Sequence, residues 1–152
     1  MSGIKIVTKN RKAYHEYHVL EKFEAGIALQ GTEVKSIRVN NAISLKESYV
    51  DLNKGEAWLV GSRVSPYLQG NINNHTPERP RKLLLNRREI NKLTRQVQEK
   101  GMTVVPLTVY FKRGKVKVEI ALCRAKHFYD KRESIKKRES DREMERIVKR
   151  IR

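Results

Sequence analysis

Val105-Pro106-Leu107-Thr108-Val109-Tyr110-Phe111, then Lys112-Arg113-Gly114-Lys115, then Val116-Lys117-Val118-Glu119-Ile120-Ala121-Leu122-Cys123 read as two strands around a turn. Val116, Val118, Ile120 and Leu122 alternate with Lys117, Glu119, Ala121 and Cys123, which gives one apolar face and one mixed face. Val105, Leu107, Val109 and Phe111 alternate likewise with Pro106, Thr108, Tyr110 and Lys112. The glycine between the runs predicts a hairpin. Pro106 has no backbone donor and belongs at an edge or a strand start. A second hairpin is predicted from Tyr49-Val50-Asp51-Leu52, the turn Asn53-Lys54-Gly55, and Glu56-Ala57-Trp58-Leu59-Val60. A long first strand is expected from His15 to about Leu29, with Gly26 as its bulge site.

Helices are fewer. Ile90, Leu93 and Val97 share one face of a helix predicted over 87–100. Asn86 caps it, Glu89 completes a capping box, and Gly101 stops it. A shorter helix is expected from Thr32 to Val39, with Val34 and Ile37 inward. Residues 69–82 read as a loop from their Asn, Gly and Pro content. Short strands without βαβ alternation predict a mainly β protein built as a small antiparallel barrel with short flanking helices.

At 152 residues, the chain suits one domain. Its 34 Lys and Arg against 17 Asp and Glu leave a net charge of +17, which calls for a polyanionic partner. A single cysteine, Cys123, excludes an internal disulfide and a multi-cysteine zinc site. No apolar run reaches membrane-spanning length, and the start has no signal-like stretch. These features point to an intracellular basic protein. The barrel domain is taken as 1–129 and a basic C-terminal tail as 130–152. The tail's apolar positions 144, 147, 148 and 151 recur at helical spacing. Glu133 with Lys137 and Glu145 with Lys149 add i,i+4 pairs. Such a helix is marginal alone, so the tail is expected to be disordered when free and helical on an RNA or ribosomal surface. An inert solubilising tail and a membrane-surface helix are the other readings, the latter weakened by the absence of an aromatic anchor.

Catalytic chemistry finds little support. Gly26 and Gly31 have phosphate-loop spacing, but Thr32-Glu33 stands where Lys-Ser/Thr is required. His15 and His18 on one strand would point to opposite faces, as would Glu21 and Glu24, so neither pair makes a metal or acid–base site. Cys123 reads as a small buried hydrophobe. No catalytic residue, metal site or cofactor is assigned. Phosphate contact is better supported, because Arg79, Arg81, Lys82, Arg87 and Arg88 fall within ten residues. A solvated charged face is the competing reading. Tyr14, Tyr17, Tyr49, Trp58, Tyr67 and Tyr110 are candidate stacking platforms or ordinary packing.

Five runs occur in order: Asn10-Arg11-Lys12, Phe23-Glu24-Ala25-Gly26, Leu29-Gln30-Gly31-Thr32-Glu33-Val34-Lys35-Ser36, Arg79-Pro80-Arg81-Lys82-Leu83-Leu84-Leu85-Asn86 and Asp130-Lys131-Arg132. Together they resemble the small protein B family, the SsrA-binding proteins of bacterial trans-translation. The resemblance implies a closed antiparallel β-barrel of the oligonucleotide-binding type in a cytoplasmic, non-enzymatic adaptor. It implies binding to the tRNA-like domain of tmRNA, where the protein replaces the missing anticodon arm. The adaptor would bring alanyl-tmRNA to stalled ribosomes for rescue and peptide tagging, with no membrane partner. Asn10, Glu24 and Leu84 fall on RNA-binding positions. A carboxylate such as Glu24 accepts from base amino groups or holds a neighbouring arginine. Leu84 packs on a base or sugar, or belongs to the core. The tail would engage the small-subunit decoding site and the empty mRNA channel through Lys126, His127, Asp130, Lys131, Arg132, Lys136, Lys137 and Arg138. Ala125-Lys126-His127 stands where many family members have Gly-Lys-Lys. His127 would make that contact pH-dependent near neutrality. A constitutive ribosomal structural protein with an oligonucleotide-binding barrel is the alternative.

Overall fold

A computed structural model of the chain describes residues 4–67, 74–99 and 101–125. Its elements are β1 (Ile4–Lys9), α1 (Arg11–Glu16), β2 (Tyr17–Ile27), α2 (Gly31–Asn40), β3 (Ile43–Ser44) and β4 (Tyr49–Asn53). They continue as β5 (Glu56–Val60), β6 (Arg63–Val64), β7 (Arg81–Leu84), α3 (Arg87–Gln96), β8 (Met102–Lys112) and β9 (Lys115–Ala125). Seven strands form an antiparallel sheet in the order β1-β8-β9-β2-β7-β5-β4, and β3 pairs with β6.

Both predicted hairpins are present, and their turns have one chemistry. Arg113 (φ 53°) and Gly114 (φ 77°) join β8 to β9, while Lys54 (φ 52°) and Gly55 (φ 73°) join β4 to β5. Positive φ at two central residues is the primed turn whose twist matches the flanking strands. The main core lies under one face of the sheet. Phe23, Ala25 and Ile27 of β2 meet Leu83 of β7, Leu59 of β5, and Val118 and Ile120 of β9. Ile37 of α2 and Leu93 of α3 close onto it. Asn86 caps α3 with the predicted capping box, although the helix ends at Gln96, four residues early. The helix α2 extends one residue beyond its predicted span at each end.

The mainly β, antiparallel part of the expectation with short helices is borne out. β4 lies against β8, yet no strand pairing joins them among the described residues, so the ladder stays open there.

Two bulges also redirect side chains. In β8, Pro106 pairs with Ile120 and Thr108 with Glu119, which leaves Leu107 as the extra residue. The predicted single apolar face is therefore split. Val104 and Val109 enter the main core, whereas Val105 and Leu107 pack with Ala13, Ala121 and Cys123 in a second cluster on the other face. One inserted residue exchanges the two faces of everything beyond it. In β2 the register shift lies between Val19 and Glu21, not at Gly26. The expected first strand from His15 is corrected as well, because residues 11–16 form α1 and the strand starts at Tyr17. Likewise, the expected loop over 69–82 ends early, as Arg81 and Lys82 begin β7.

Asn10 explains how α1 and the β8 bulge coexist. Its side-chain carbonyl accepts from the Ala13 N–H at 3.2 Å and caps α1. Its amide donates to Pro106 O at 2.9 Å, and its backbone N–H donates to Leu107 O at 2.7 Å. Both carbonyls lie at the bulge, and Asn10 satisfies each of them. Asn10→Ala should lower the unfolding free energy by about 1–3 kcal/mol in urea titrations. Asn10→Asp should do no better at pH 7, because it keeps the cap but sets a carboxylate oxygen against Pro106 O. A stable Asn10→Asp protein would contradict this account.

Candidate nucleic-acid interface

Strand alternation sends Phe23, Ala25, Ile27 and Leu83 to the core, and so sends Lys22, Glu24, Gly26, Lys82 and Leu84 to the opposite face. Gly26 pairs with Leu84 on one side and Lys117 on the other, and Glu24 pairs with Glu119. Glu24 and Leu84, 60 residues apart in sequence, thus stand in neighbouring rows of one surface. Leu84 is 56% exposed. It lies across Gly26, where an added Cβ would sit 3.2 Å from the Leu84 Cβ. Glycine at 26 lets an apolar side chain lie flat on the sheet in water. The reading of Leu84 as a core leucine is therefore corrected.

Glu24 is the electrostatic centre of this face. Its Oε2 accepts from the Tyr110 hydroxyl at 2.5 Å and from Lys112 Nζ at 3.2 Å. The Tyr110 hydrogen bond, followed by Lys112, holds the carboxyl below the usual range. The Tyr110 phenol is pushed up, by burial first and then by Glu24. Both facts keep a carboxylate and a neutral phenol at neutral pH. Glu21 faces the other way and accepts from Lys92 of α3 at 2.8 Å, so the two carboxylates are separate. Trp58 is half-buried, opposite Lys82 on the same face.

The arginine patch is largely not a patch. Arg81 is fully buried, and its Nε and Nη2 lie 2.6 Å and 2.5 Å from Glu33 Oε2. Its Nη1 donates to Ser62 Oγ and Arg79 O, and its Nη2 donates to Pro77 O. No donor is left for a phosphate. Arg79 puts Nη2 2.5 Å from Glu33 Oε1 and is mostly covered. Lys82, Arg87 and Arg88 stay exposed, with Lys82 3.4 Å from Glu56. The expected phosphate contacts at Arg79 and Arg81 are corrected accordingly. Asn10 is also buried, with its side chain engaged as described above. Glu33 was missed by the sequence reading, although Gln30 and Glu33 have capping-box spacing and the box is formed. Among the described residues no group of three or more metal-ligating side chains occurs. His15 sits on α1 and His18 on β2. Lys126, His127, Asp130, Lys131, Arg132, Lys136, Lys137 and Arg138 lie outside the described residues.

Comparison with known proteins bears on what this face belongs to. A family model described as SmpB protein matches residues 7–150. The chain belongs to the SmpB protein family. The SsrA-binding protein of Syntrophobacter fumaroxidans is 55% identical over 148 residues, covering 97% of this chain and 91% of that protein. The SsrA-binding protein of Chlamydia trachomatis serovar A is 51% identical over 148 residues, covering 97% of each. A solved SmpB-family chain, described with "tmRNA-SmpB: a journey to the center of the bacterial ribosome", matches with a TM-score of 0.65 and 44% identity. That match covers 78% of this chain and 82% of the other. Among the described residues no helix is long and apolar enough to cross a membrane.

Glu33 supports the Glu24–Leu84 face from beneath, through Arg81 at the start of β7. Burial acts to raise its pKa, but the Arg79 hydrogen bond, the Gln30 N–H and Arg81 outweigh it, and the net shift is downward. A depressed carboxylate contributes stability that is fully present above its unfolded pKa and is lost as pH falls through its folded pKa. Glu33→Gln leaves Arg81 buried without its counter-charge and should cost about 3–5 kcal/mol at pH 7. The variant should also flatten the acid side of the melting-temperature profile. An unchanged acid limb would mean that Glu33 does not carry this pH dependence.

Proposed function

We propose that this protein binds the tRNA-like domain of tmRNA through the Glu24–Leu84 face and brings alanyl-tmRNA to stalled ribosomes for trans-translation. The SmpB-family match over residues 7–150 carries the reading. The convergence of Glu24 and Leu84 on one exposed surface supports it. The protein stands in for the missing anticodon arm of that RNA. Lys82, Arg87, Arg88, Lys112 and Lys117 supply phosphate attraction around the two central residues, with counterion release as the driving term. Leu84 offers an apolar surface to a base or ribose, and Glu24 accepts from base amino groups. Arg79 and Arg81 act from inside, by fixing β7. Asn10 acts in the same indirect way, by fixing α1 against β8.

The finer architecture belongs to the same proposal. The sheet curls until β4 lies against β8, and that supports a barrel of the oligonucleotide-binding type with one unpaired seam. We assign the protein to the cytoplasm, as a non-enzymatic adaptor without a cofactor. The tail residues Lys126, His127, Asp130, Lys131, Arg132, Lys136, Lys137 and Arg138 are proposed to engage the small-subunit decoding site and the empty mRNA channel. They would do so as a segment that becomes helical there.

A gel-shift titration at near-physiological salt tests the reading. It compares the tRNA-like domain with an ordinary tRNA and an unrelated hairpin of equal length. The first should bind tighter by roughly 10³-fold or more. Equal affinities that collapse together as salt rises would reduce the protein to a generic polyanion binder. Presence on every ribosome, rather than enrichment on stalled ones, would favour the ribosomal structural protein instead. Truncation after Ala125 should preserve RNA affinity and abolish peptide tagging. Parallel loss of both would refute the division of labour between body and tail.

A further inference from the structure

We infer that Tyr110 is a positioning residue for RNA recognition: its hydroxyl fixes the Glu24 carboxylate so that Oε1 faces the RNA donor. The inference rests on the reading of Glu24 as an RNA contact. The geometry is a brace across a strand. Tyr110 lies on β8, Glu24 lies on β2, and β9 runs between them. The phenol ring reaches past Lys117, its partner on β9, and donates to Glu24 Oε2 at 2.5 Å. The ring is only 7% exposed, so its hydroxyl is held by packing rather than by solvent. Glu24 itself is exposed, and a glutamate in water samples several rotamers at an entropic cost when one is selected. A buried donor removes that freedom before RNA arrives.

The two carboxylate oxygens are unequally used. Oε2 accepts from Tyr110 and from Lys112 at 3.2 Å, whereas among the described residues Oε1 has only a long contact to Lys112 at 3.4 Å. Oε1 is therefore the oxygen left for an incoming N–H or ribose hydroxyl. The charged and titratable groups around Glu24 are Tyr110 and Lys112 of β8, Lys117 and Glu119 of β9, and Lys22 of β2, which pairs with Glu119 at 3.8 Å. The Tyr110 hydrogen bond is the largest influence that keeps the carboxylate ionised among these lysines.

Four proteins test this: wild type, Glu24→Gln, Tyr110→Phe and the double variant, each titrated with the tRNA-like domain. Phenylalanine keeps the ring and removes only the donor. Tyr110→Phe should weaken binding by about tenfold, and the double variant should bind no more weakly than Glu24→Gln alone. Carbon-13 titration of the Glu24 carboxyl in the RNA-free protein should move to higher pH in Tyr110→Phe. Thermal melts establish that all four are folded at the binding temperature. Weakening by Glu24→Gln but not by Tyr110→Phe overturns the inference and leaves the RNA-binding reading intact. Additive effects overturn it too, since Tyr110 would then act independently of Glu24. An unmoved Glu24 titration overturns the brace itself. Full affinity in Glu24→Gln overturns the inference, since the carboxylate that Tyr110 holds would then contribute nothing to binding.

Discussion

The Glu33 carboxylate, held by Arg81 and Arg79 inside the protein, is the constraint on which the Glu24–Leu84 face depends. It joins the first turn of α2 to the start of β7, across 48 residues of sequence. β7 is only four residues long, Arg81–Leu84, and it links β2 to β5. A strand that short has few ladder hydrogen bonds of its own. Arg81 adds bonds to Ser62, Pro77 and Arg79 that pin the approaching chain. Leu84 and Lys82 project from this strand, so their placement follows from a charge pair on its hidden side. Replacing such a pair with apolar residues is often neutral for stability. Its value here lies in registry, because only one placement of β7 brings Arg81 to Glu33.

Surface and interior use charge differently. The net charge of +17 gives the whole molecule an attraction for polyanions that carries no sequence or shape information. The fixed features of the Glu24–Leu84 face are a flat leucine over a glycine and a carboxylate among lysines. A carboxylate at a polyanion interface costs Coulomb energy, and it offsets that cost only if it meets a donor with good geometry. The Tyr110 contact supplies that geometry in advance, while Lys112 and Lys117 keep the local potential positive.

What the residues reveal on their own divides along physical lines. Both hairpins were legible because each turn needs a glycine with positive φ between alternating strands, and the α3 start was legible from Asn86 and Glu89. The bulge at Leu107 was not, because an uninterrupted apolar run hides a face switch, and both faces of β8 are covered. The helix α1 was missed because its six residues are too short for a 3.6-residue period to show. Glu24 and Leu84 were placed by family resemblance, and the register brings them to one face. Arg79 and Arg81 were misread because a basic cluster gives no hint of a carboxylate 46 and 48 residues upstream.

An amide chemical-shift footprint of the protein titrated with the tRNA-like domain is the most direct test of the central claim. The account predicts that the largest changes fall on Lys22–Gly26, Lys82–Leu84 and Lys112–Lys117, the outward rows of β2, β7, β8 and β9. Changes confined to the β3–β6 pair and the β4–β5 turn, with Glu24 and Leu84 unmoved, would contradict it.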